Sequence, residues 1–240
     1  MSLNKMTFFQ VVRKQVKWKC KAYSQSFITL IIIQVILSLL AFNGSGMSGT
    51  GTNDLQLDIT FYSLDTLVII SCICAFITAL LLQSKDNIQD DYSIVSSRIT
   101  SSFSNSIFII IYSFIATITT FTSFYISVLM VQLISNTVLI REGVLINPIQ
   151  FMVVFFILLL AASSGFFLGA AFYRAKMLGI GIIILSIVVI NNVFEEQLLT
   201  LLTFFFEQGY LLFILKGIVV AMVLMSLSIL LHSRKEVSRR

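Results

Sequence analysis

With 240 residues, of which 58 % are hydrophobic and only 11 % charged, the chain has a mean hydropathy of +0.98. This balance excludes a water-soluble globule, which needs more polar surface, and no stretch between the apolar runs is long enough to bury an aqueous core of its own. The net charge of +5 is spread along the chain in a way that follows membrane topology rather than a nucleic-acid-binding face.

The first element, residues 1–21, reads as an amphipathic helix. Met6, Phe9, Val12, Val16, Cys20 and Tyr23 recur at intervals of three or four, while Lys14, Lys17 and Lys21 fall opposite. Such a helix lies in the headgroup layer ahead of a first span. The basic region is long and no small-residue cleavage site follows the apolar run, so the segment is expected to be retained rather than removed as a signal peptide.

A bilayer core about 30 Å thick takes roughly 20 apolar residues in a helix, because unpaired backbone groups are too costly in hydrocarbon. Six segments qualify, at 22–42, 61–83, 105–134, 148–173, 177–194 and 210–232. The fold class is therefore all-α: a polytopic membrane protein with six transmembrane helices across 22–232, behind an N-terminal interfacial amphipathic helix and ahead of a basic tail at 233–240. Residues 43–53, rich in Gly and Ser, suit a flexible external loop. No Lys followed by Ser or Thr succeeds these glycines, so they make no P-loop. Pro148 behind Asn147 reads as a first helical residue after an N-cap and starts the fourth span. With the N-terminus inside, every Lys and Arg except Arg141 and Lys216 falls on the inner side, which places both termini in the cytoplasm.

Segment 84–104 is the longest inner connection and carries Asp86, Asp90, Asp91 and Arg98; it reads either as a short helix that docks a partner or as a solvated loop. Residues 195–209, EEQLLTLLTFFFEQG, are too apolar for an exposed loop and too few for another span, and read as an external segment dipping back into the membrane. Asp65 and Lys216 lie near the outer ends of the second and sixth spans, where they either snorkel to water or face one another as an outer vestibule or gate. Gln34, Gln132, Asn191 and Asn192 are expected to hydrogen-bond between helices, and Gly165-Phe-Phe-Leu-Gly169 to make a close helix contact. Cys20, Cys72 and Cys74 form no even disulfide framework, and with the single His232 they supply no usual metal site. No Ser/His or carboxylate pair suited to hydrolysis inside the membrane is present. The chain is therefore expected to hold neither a catalytic residue nor a cofactor.

The run Asp91-Tyr92-Ser93-Ile94-Val95-Ser96-Ser97-Arg98 between the second and third spans resembles the coupling segment in permease subunits of the ABC-2 type exporters: an acidic residue, a short apolar helix and small residues ending in Arg. The family's Gly after the acidic residue and Pro before the small residues are absent here. The layout is similar along nearly the whole chain, from the amphipathic elbow helix to the apolar external segment before the last span. The resemblance implies a separate nucleotide-binding ATPase subunit that holds ATP and Mg, contacted through Asp90, Asp91, Tyr92, Ile94, Val95 and Arg98. It also implies a second permease subunit, alike or different, and short re-entrant helices at 195–209. Usage heavy in Ile, Ser, Phe, Asn and Lys suits a low-GC Gram-positive bacterium, and by resemblance the cargo is an amphipathic peptide of the phenol-soluble-modulin type. A bacteriocin self-immunity permease and a non-transporting membrane adaptor are the rival readings. Lipid and peptide, not nucleic acid, are the expected partners.

Overall fold

A computed structural model describes residues 7–40, 46–52, 55–61, 63–84, 87–88, 98–134, 147–192 and 209–233. Within them the chain forms seven helices and one hairpin: α1 (Phe8–Ala22), α2 (Ser24–Leu40), β1 (Gly46–Thr52), β2 (Leu55–Phe61), α3 (Asp65–Leu81), α4 (Arg98–Ile134), α5 (Pro148–Arg174), α6 (Lys176–Asn192) and α7 (Tyr210–Ser233). The helical class expected from the apolar runs holds. Three helices, α4, α5 and α7, are long and apolar enough to cross a membrane, and a fourth crossing is added when α1 and α2, bent by 47° at their junction, are taken as one broken span. Helices α2, α3 and α6 have 17 residues each, about 25 Å of rise against a core of about 30 Å.

Local chemistry sets several boundaries. The Gln10 side-chain carbonyl accepts from the Thr7 N–H at 3.1 Å and closes the start of α1. At the start of α5 the Asn147 side chain accepts from the Ile149 N–H at 3.1 Å, with Pro148 in the first turn, where its missing N–H is no loss.

Two expectations are corrected. Residues 46–52, expected within a flexible loop, pair antiparallel with 55–61, Gly46 opposite Phe61 and Thr52 opposite Leu55; α3, expected as the second span from residue 61, accordingly begins at Asp65, since Phe61 belongs to β2. Leu55, Leu57, Ile59 and Phe61 alternate with Gln56, Asp58 and Thr60, a period-two pattern that fits a pleated strand better than a helix. Helix α4, expected as the third span from residue 105, starts seven residues earlier, so that 98–104, expected as part of an inner connection, is continuous with it. Its polar residues are buried against α1 rather than solvated, and that packing sustains the helix.

The core lies between α2, α3, α4, α5 and α7, with Leu30, Ala75, Phe108, Tyr112, Leu158 and Phe166 among its most buried residues. Cross-helix contacts give the directions. Thr78 meets Tyr112 and Ser71 meets Thr120, so α3 and α4 are antiparallel; Phe27 meets Phe108, and Ser127 reaches Ser38, so α2 and α4 are parallel. Gly217 lies over Phe156 and Leu160, and Ser228 reaches the Phe166 carbonyl, so α5 and α7 run the same way. The outward faces are apolar: Ile28, Ile32 and Ile36 on α2 and Leu211, Leu215 and Val219 on α7 are all exposed, as lipid-facing helices require.

Candidate functional site

The junction of α1 with the start of α4 holds the most unusual group among the described residues. Lys19 is 1 % exposed, although a lysine is seldom buried without partners. Its ammonium donates to the Asn105 Oδ1 and, at 3.4 Å, to the Ser101 carbonyl oxygen. Gln15, one turn earlier, and Val12 complete the buried face of α1, against Thr100, Ser101, Ser102 and Asn105 of α4. Helix α1 packs far more extensively on α4 than on α2, its own continuation. Phe8 adds an edge-on ring contact with Phe103. The amphipathic helix is thus docked on protein along one side. Lys14, Lys17 and Lys21, expected opposite the apolar stripe, are exposed, whereas Phe9, expected within the stripe, is 76 % exposed.

Further along α4, buried hydroxyls continue the polar line. Ser113, Thr117, Thr120 and Ser127 recur at intervals of four, three and seven on one face. Most donate to a carbonyl one turn back, as Thr117 does to Ser113 and Thr120 to Ala116, which spares them an unpaired donor away from water. Gln34 of α2 ties three helices together: its amide donates to Ser71 Oγ of α3 at 2.8 Å and to Thr120 Oγ1 of α4 at 2.9 Å, and the two hydroxyls lie 3.0 Å apart. Gln132 is exposed, and the side chains of Asn191 and Asn192 lie outside the described residues.

Gly165 and Gly169 lie against α3. A Cβ at Gly165 would fall on the Phe76 carbonyl, 3.0 Å from its carbon, and one at Gly169 would come within 2.8 Å of the Gln83 Cβ and 3.0 Å of the Leu80 oxygen. Only glycine lets these two backbones approach so closely. Asp65 is exposed in the first turn of α3 and Lys216 is half-buried on α7. Their helices α3 and α7 each pack chiefly on α5.

Of the coupling residues, Asp90, Asp91, Tyr92, Ile94 and Val95 lie outside the described residues, and Arg98 is the first residue of α4. Segment 195–208 and the tail beyond Ser233 also lie outside them. Among the described residues no three His, Cys, Asp or Glu side chains gather as metal ligands, and Cys20, Cys72 and Cys74 are free thiols packed beside the core. Sequence reasoning missed the burial of Lys19. Its signal was available: Lys19 follows Val12 by seven residues and Gln15 by four, on the buried face. Comparison of the chain with protein-family models, with curated proteins and with solved structures returns no match.

Proposed function

We propose that the chain is the permease subunit of an ATP-driven exporter in a bacterial cytoplasmic membrane, with six spans, both termini inside, and amphipathic toxin peptides of the phenol-soluble-modulin type as cargo. The observation that carries this reading is the docking of the bent α1–α2 lead-in onto the first turns of α4, through buried Lys19. Those turns directly follow the segment that would contact an ATPase. A displacement of that segment would reach α4 and α1 together, as differential contact between two transport states requires. The six-span layout is supported by helix direction. Since α5 and α7 run parallel, the chain must return between them, and α6 is the apolar helix available for that passage.

In this reading Asp90, Asp91, Tyr92, Ile94, Val95 and Arg98 meet the nucleotide-binding subunit, where ATP and Mg are held, and a second permease subunit completes the pathway. Residues 195–209 dip into the outer leaflet. Asp65 and Lys216, each on a helix that packs chiefly on α5, serve as an outer vestibule or gate or else snorkel to water.

Affinity purification of the tagged chain in mild detergent tests the reading. It predicts recovery of an ATPase subunit whose turnover changes when Asp91→Ala or Tyr92→Ala is introduced. Recovery of no ATPase would sink the exporter and favour an adaptor. With the ATPase in hand, a deletion strain that gains sensitivity to bacteriocins but exports modulin-like peptides normally would replace the cargo with that of an immunity permease.

A further inference from the structure

We propose that the basic face of α1 is a docking surface for anionic lipid headgroups at the membrane surface where α2 begins. Arg13, Lys14, Lys17 and Lys21 are all exposed, and at 100° per residue they fall within about one third of the helix circumference. They point away from Val12, Gln15 and Lys19, the face buried on α4. No carboxylate offsets them on the helix, and the first Asp or Glu of the chain is Asp54, beyond α2. The location is fixed by the neighbours. Helix α2 exposes Ile28, Ile31, Ile32 and Val35, so it lies in hydrocarbon from its first turns, and α1 departs from it at a 47° bend. Docked on the polar start of α4, α1 sits at headgroup depth with its cations outward and with Phe9 as an apolar anchor.

Charge complementarity selects the occupant. A phosphatidylglycerol-rich leaflet offers many mobile negative charges, and each Lys or Arg near such a surface adds about fivefold to binding. The inference concerns a lipid partner and does not depend on the exporter reading.

The protein carries its own probe, because its one tryptophan is Trp18 on α1. The full chain is reconstituted in bilayers of mixed phosphatidylcholine and phosphatidylglycerol, with brominated acyl chains carried by one lipid or the other at equal mole fraction. Bromine quenches indole on contact, so the ratio of the two quenching efficiencies reads lipid preference beside α1 alone. At low salt the ratio should favour phosphatidylglycerol. It should fall toward unity in the combined Arg13→Gln, Lys14→Gln, Lys17→Gln, Lys21→Gln variant, and stay unchanged in Arg174→Gln, which removes an exposed cation from α5. In the unmodified protein, where folding is not at issue, about 0.5 M salt should remove the preference by shortening the screening length. A ratio of unity at low salt, or a preference that survives both the four substitutions and salt, overturns the proposal. Loss of the preference to soluble glycerol phosphate at constant ionic strength also overturns it, in favour of a discrete phosphate site.

Discussion

Lys19 and Gly165 exert their effects through opposite properties, one by what it donates and the other by what it lacks. Removing the Lys19 ammonium takes the donor from the buried Asn105 Oδ1, while the Ser101 carbonyl keeps the Ser104 hydroxyl at 2.7 Å, so Lys19→Met should cost about 1–3 kcal/mol and free α1 for protease cleavage while the rest of the bundle stays protected. Amine-reactive labelling of the intact protein should modify exposed Lys17 and Lys21 readily and Lys19 last, as peptide mass analysis would register. At Gly165 an added methyl meets backbone, which cannot rotate aside. Gly165→Ala is therefore expected to destabilise by about 1–3 kcal/mol, whereas Gly181→Ala, with nothing within 4 Å of the new carbon, should be neutral or gain up to about 1 kcal/mol from helix propensity. Thermal unfolding in detergent separates the two; equal midpoints would refute the close α3–α5 approach.

At the scale of elements, the start of α5 was legible because an N-capping Asn and a first-turn Pro stand at the edge of its apolar run, at Asn147-Pro148. The hairpin was not, because Gly and Ser in β1 read as loop and its partner's alternation adjoins a longer apolar run that masks it. The buried end of α4 was hidden for a different reason. Ser and Thr read as solvated unless a second element covers them, and that cover, α1, lies more than 80 residues away in sequence. Gln34, by contrast, was read correctly as an interhelical amide, since a lone amide in an apolar helix has few other uses. Because Ser71 and Thr120 also donate to their own helices, they are not stranded when the amide is lost. A Gln34→Leu, Ser71→Ala double-mutant cycle should thus yield only about 0.6–1.7 kcal/mol of coupling, and a coupling of zero would dissolve the three-helix tie.

For the molecule as a whole, membrane residence followed from composition, while the direction of each passage needed contacts. The proposed six-span topology, which the parallel run of α5 and α7 supports, carries a prediction: Ser48→Cys in β1 should react with an impermeant maleimide from outside intact cells, and tags at both termini should react only after permeabilisation. Opposite labelling of the two termini would remove the sixth crossing. The candidate ATPase contact at 90–98 lies, but for Arg98, outside the described residues, and in the sequence its acidic run reads either as a docking segment or as a solvated loop, with only the family resemblance selecting the first.

Helix α4 is 37 residues long, about 55 Å, and most of its tight polar contacts fall at two places, near Ser101–Asn105 and at Thr120. Mechanically that makes it a beam held at two points about 23–29 Å apart. With Phe108 and Tyr112 packed into the core between those holds, the helix resists tilting, and a load applied at either end is shared among α1, α2 and α3.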